Sequence, residues 1–102
     1  MDQLERRRII GENVMLSQVL LRTGCHVPTH AHENEQFAFV VSGALRFGLG
    51  AEGATDRHDL IVRGGEVLHL PSNLPHSADA LEDTLVLDIF SPPSEKTGID
   101  RA

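Results

Sequence analysis

At 102 residues and 11.2 kDa, the chain is the size of one domain, and two will not fit. With 40% hydrophobic and 24% charged residues it has the composition of a globular protein rather than a disordered one. A net charge of −6 argues against nucleic-acid and anionic-membrane partners, both of which need a cationic surface. The single cysteine, Cys25, excludes an internal disulfide and a Cys-rich metal site. No apolar run approaches the roughly 20 residues that span a bilayer. The basic stretch Arg6-Arg7-Arg8 is followed by no apolar signal region, so a cytoplasmic protein is expected. Trp and Tyr are absent, which removes a catalytic tyrosine and weakens any base-stacking platform.

Along the chain, only residues 2–10 and 14–21 leave room for a helix. From Gly11 onward the punctuation is dense: Gly24, Gly43, Gly48, Gly50, Gly53, Gly64-Gly65 and Pro71 cut the sequence into short runs. The runs Val14–Leu21, Gln36–Val41, Leu45–Leu49, His58–Val62, Glu66–Leu70 and Thr84–Phe90 are rich in apolar and β-branched residues, so the pattern predicts an all-β sandwich or barrel. The core is expected over about 13–91, with a loop at 50–57 and a tail over 92–102. Two of the runs are apolar on both faces. Thr84–Phe90 alternates Val86, Asp88 and Phe90 with Leu85, Leu87 and Ile89; Gln36–Val41 alternates Ala38 and Val40 with Phe37, Phe39 and Val41. A strand apolar on both faces needs cover on both, and a homodimer is one source of it.

Six histidines supply the chemistry. His30 and His32 share a face if the chain there is extended, and Gln36 keeps their parity. His76, after the turn-forming Pro71-Ser72-Asn73-Leu74-Pro75, is a candidate fourth ligand. Imidazole nitrogens with an amide oxygen suit zinc, nickel, iron or manganese. Glu35 is the alternative to Gln36, but it has the wrong parity and needs a bulge at 33–35 to turn inward. An amide ligand would leave the metal's charge uncancelled and make it the better Lewis acid. His26 is expected at a solvated strand end, His58 and His69 on the surface, and Cys25 in the core.

These stretches resemble the two sequence motifs of the cupin superfamily. Gly24, His30, His32, Gly43, Gly65, Pro71 and His76 match; Gln36, Asn73 and Ala80 stand where the motifs have Glu, Gly and Asn. The resemblance implies a small β-barrel (double-stranded β-helix, jelly-roll-like) of two antiparallel sheets filling residues 1–102 as one domain. It further implies one divalent metal in the barrel mouth held by His30, His32, Gln36 and His76, and commonly a dimer. The run Leu87-Asp88-Ile89-Phe90-Ser91-Pro92-Pro93 is similar to the last strand of the KdgF pectin-degradation family. That family pairs His-x-His with a Gln ligand and converts 4,5-unsaturated uronates to a linear keto form. The likeness implies a catalytic Asp88 and a substrate-contacting Phe90. Ser94 stands where that family has an Arg for the substrate carboxylate. Arg46 could replace it if Leu45, Phe47 and Leu49 pack outward and Arg46 points into the barrel. Ala38 and Val40 would complete an apolar wall around Phe90. The expected activity is a non-redox isomerase or lyase on a small oxygenated molecule. The alternatives are a small-molecule- or metal-binding module without catalysis and a metal-dependent dioxygenase.

Overall fold

The computed structural model describes residues 3–94, and these contain nine strands and no helix. They are β1 (Leu4–Ile10), β2 (Met15–Leu21), β3 (His26–His30), β4 (Glu35–Ser42), β5 (Ala44–Leu49), β6 (His58–Arg63), β7 (Val67–Leu70), β8 (His76–Ala80) and β9 (Thr84–Ser91). The expected tail from residue 95 onward lies outside the described residues. Both segments that left room for a helix are strands. In β2, Met15, Ser17, Val19 and Leu21 are buried while Leu16 and Gln18 are exposed. That two-residue period cannot be satisfied by a helix. β1 follows it residue for residue, from Leu4 opposite Leu21 to Ile10 opposite Met15.

The strands form two antiparallel sheets, one ordered β1-β2-β9-β4-β7 and the other β3-β8-β5-β6. Their inner faces enclose one apolar core that includes Val19, Val40, Phe47, Leu70 and Val86. The chain changes sheet between β3 and β4 and again between β7 and β8. Both crossings occur at the same end of the sandwich, and that is where the histidines gather. Gly43 closes β4 at φ 95°. A Cβ there would stand 2.5 Å from the Asp83 carbonyl oxygen and 2.5 Å from Thr84 Oγ1. Only glycine allows this approach of the β4–β5 turn to the start of β9.

Candidate metal centre

His30 is the last residue of β3 and lies in register with His76, the first of β8. His32 sits in the crossing between β3 and β4, and Gln36 is the second residue of β4, opposite Phe90. The expectation of one extended strand carrying His30, His32 and Gln36 on one face is therefore corrected. The chain turns between the sheets, and the three residues converge from different elements. The crossing is fastened by the second motif: the Asn73 N–H donates to the His32 carbonyl at 2.8 Å. Asn73 has φ 65° in a turn closed by the Leu74 N–H on the Pro71 carbonyl. A turn of this kind needs a left-handed residue at its third position, where asparagine is the usual substitute for glycine. The departure at Asn73 thus preserves the backbone that glycine would give.

The ring centroids lie 4.4 Å apart for His30 and His76, 5.1 Å for His32 and His76, and 5.7 Å for His30 and His32. One ligand atom from each of the three falls within 4.8 Å of the others. Each ring is oriented through Nδ1, which donates to a backbone carbonyl: His30 to Pro28 at 3.0 Å, His32 to Asn34 at 3.0 Å, and His76 to Leu74 at 2.8 Å. A neutral imidazole has one N–H, so each Nε2 keeps its lone pair. This is the outer-shell arrangement that fixes the tautomer of metal-binding histidines. Gln36 completes the set. Its Nε2 donates to Asp88 Oδ1 at 2.9 Å, which leaves Oε1 3.1 Å from His32 Nε2. Two acceptors face each other there. A shared cation relieves that contact, so the donor set fits a divalent metal held by three imidazoles and one amide oxygen.

Burial holds the imidazoles neutral. His76 is pushed down to about 4, mainly by burial and further by the neighbouring His30 and His32. Burial is also the main cause that lowers His32. Asp88 moves the other way, to about 7: burial raises it, while the Gln36 hydrogen bond and the Arg6 charge oppose the rise. Asp88 and Phe90 both line the pocket beneath the histidines, with Val19, Leu45, Phe47 and Val86 as apolar wall. Phe90 meets His32 edge-on at 5.6 Å.

Several expectations are corrected. Arg46 points outward, half-exposed, with Nη2 3.7 Å from Asp79 Oδ2. Its neighbours Leu45 and Phe47 face the pocket, because the cost of exposing two large apolar side chains outweighs that of solvating one cation. Glu35 also faces outward and accepts from His69 Nε2 at 2.7 Å. No bulge turns it inward; the register shift in β4 lies between Val40 and Ser42. Ala38 and Val40 are fully buried but sit in the core rather than against the pocket. His26 is exposed and donates to Asp79 Oδ1 at 2.7 Å. Cys25 is buried, which raises its thiol pKa.

Two contributions escaped the sequence reading. Asn34 is buried; its carbonyl anchors His32, and its side-chain nitrogen donates to the Pro92 carbonyl. Arg6 and Ser17 stand on the inner face beside Asp88. The alternation of Leu4, Arg6 and Arg8 with Glu5 and Arg7 was the available signal.

Residues 17–90 match the cupin domain family. The chain belongs to the cupin family. This cupin is similar to KdgF from Halomonas sp., with a TM-score of 0.81 at 30% identity over 93% of this chain and 84% of that one. An RmlC-like cupin from Shewanella frigidimarina superposes with a TM-score of 0.80 at 22% identity, over 91% of this chain and 79% of that one, a likeness of fold alone. A variant of oxalate decarboxylase from Bacillus subtilis gives 0.76 at 25% identity, covering 84% of this cupin and 24% of the enzyme. No curated protein matches the sequence.

Proposed function

We propose that this cupin holds one divalent transition metal (zinc, nickel, iron or manganese) at His30, His32, Gln36 and His76 and catalyses a non-redox isomerisation or lyase step. The substrate class is a small oxygenated molecule such as an unsaturated uronate. The observation that carries this reading is the hydrogen bond from Gln36 Nε2 to Asp88 Oδ1. It sets a proton-carrying carboxyl one residue away from the metal donors, inside an apolar pocket. The similarity to KdgF supports the same reading.

A divalent cation in this donor set supplies Lewis-acid polarisation of a ligand oxygen. The chain supplies the rest. Asp88 takes a proton from a ligand hydroxyl and returns one to an enol carbon, so the net change is an isomerisation. Its protonated and ionised forms are close in free energy near neutral pH, as an acid–base group requires. Gln36 holds the carboxyl in place, and Phe90, Leu45 and Val86 exclude water. The three Nδ1 anchors keep the rings from rotating away. The outward turn of Glu35 removes the carboxylate ligand of the common non-haem iron pattern, which disfavours the dioxygenase alternative.

The reading includes a homodimer, built on the exposed apolar outer face of the five-stranded sheet, and a cytoplasmic location, with Cys25 a free thiol. The test of the site is elemental analysis: wild type should carry about one first-row divalent metal per chain, and His76→Ala should lose it. Decay of the enol absorbance of an unsaturated uronate should be accelerated by wild type and not by Asp88→Asn. Metal retention without turnover of any such substrate would reduce the protein to a binding module.

A further inference from the structure

We infer that Arg6 is the anion-recognising residue of this pocket, taking a carboxylate on the bound ligand. The inference deepens the proposed function and rests on it, since it names the ligand class for the same site.

Strand β1 alternates, with Leu4 buried, Arg6 and Arg8 partly buried, and Glu5, Arg7 and Ile9 exposed. Arg6 is the register partner of Val19, and Val19 is the partner of Val86. Both valines line the pocket, so Arg6 stands on the inner face beside the pocket wall. Its Nη2 is buried, so the guanidinium reaches the interior. The effect of its charge on Asp88 agrees with that placement. Ser17, in register with both Arg8 and Asp88, has a fully buried hydroxyl with no hydrogen-bond partner. It adds a donor on the same polar strip.

The other described arginines are directed elsewhere. Arg46 faces out towards Asp79. Arg57 donates to the Gly50 carbonyl at 2.6 Å and to Ser77 Oγ at 2.9 Å. Arg8 reaches Met15 Sδ at 3.9 Å, one row nearer the mouth. Arg7, Arg22 and Arg63 are exposed. The pocket's charge balance points the same way. Its donors are three neutral imidazoles and an amide, and Asp88 is the one acid lining it. With a divalent cation bound and Arg6 at the wall, the interior favours an anionic ligand. The planar guanidinium fork matches a carboxylate in two-point geometry.

The test compares D-galacturonate with its neutral counterpart D-galactose on the zinc-loaded full chain, by calorimetric titration. Wild type should bind the acid at least tenfold more tightly. Arg6→Gln should reduce that preference to within about threefold, and Arg6→Lys should keep part of it. Arg46→Gln should leave it intact, with zinc stoichiometry unchanged in all variants. If Arg6→Gln retains the tenfold preference, or if Arg8→Gln alone removes it, the inference about Arg6 is overturned while the metal-site reading stands. If wild type holds zinc but shows no preference for the acid, the inference also fails. If wild type holds no zinc and binds neither sugar, the functional reading fails first and takes the inference with it.

Discussion

Gln36 and Asp88 sit on neighbouring strands, one residue out of register, and are joined by a 2.9 Å hydrogen bond in which the amide nitrogen donates to the carboxyl. That bond decides which end of the amide faces the histidines. It presents Oε1 to the metal position and makes Gln36 a connector as well as a ligand.

Gln36→Glu should therefore do more than add a charge to the donor set. It removes the donor to Asp88 and places two carboxyls side by side, where like charges resist joint ionisation. Metal retention against a chelator should improve. Turnover of an unsaturated uronate should fall by about 10²-fold or more, the range for losing a positioned acid–base group. Rates equal to wild type would show that the Gln36–Asp88 bond has no part in the chemistry.

The metal-free protein should show opposed pH dependences. Asp88 has its folded pKa raised to about 7, so its stabilising contribution is complete below the unfolded value of roughly 4 and is lost as pH rises through 7. His76 is lowered to about 4, so its contribution is present above roughly 6.5 and is lost as pH falls to 4. His32 is lowered too and acts in the same sense as His76. Between pH 4 and 7 the Asp88 and His76 effects largely cancel, because the folded and unfolded states bind similar numbers of protons. Asp88→Asn removes one side. Its denaturation free energy should rise with pH across that window by roughly 1 kcal/mol per unit more steeply than wild type. Parallel pH profiles for the two proteins would contradict the assignment.

The strand pattern and the identity of the ligands were legible in the sequence, because both rest on local signals: alternation, glycine punctuation and histidine spacing. How the ligands meet was not. His30 and His32 share no strand face; they are brought together by a crossing whose closure depends on Asn73, more than forty positions away. Parity also misjudged β5, since Arg46 and its neighbours alternate equally well either way round, and only the competition for the pocket wall decides it. The N-terminal strand was hardest to read. Three consecutive arginines hide a period-two pattern that becomes visible only once β2 is beside it.

Oligomeric state should depend on the outer face of the five-stranded sheet. Leu16, Ile89 and Phe37 lie in one row across β2, β9 and β4, and they are 40%, 38% and 40% exposed. Val67, on β7, extends the patch. A contiguous apolar face of this kind is unusual for a monomer and suits a two-fold pairing in which the same patch meets itself. Light scattering should give a dimer for wild type and a monomer for the double variant Phe37→Lys, Ile89→Lys. Metal content should be unchanged, because both side chains point away from the pocket. A wild type that stays monomeric at high micromolar concentration would remove the dimer.

The turn at Asn73 offers the last test, because it separates backbone conformation from side-chain chemistry. Its φ of 65° costs a residue with a Cβ about 1–2 kcal/mol, which asparagine partly offsets through local hydrogen bonding. Asn73→Gly should leave the denaturation free energy within about 0.5 kcal/mol of wild type, whereas Asn73→Ala should lower it by about 1 kcal/mol. The same turn sends its N–H to the His32 carbonyl and leads into His76, so the alanine variant should also release metal faster to a chelator than the glycine variant. If alanine and glycine behave alike in both measurements, the left-handed turn is not what holds the two histidine segments together.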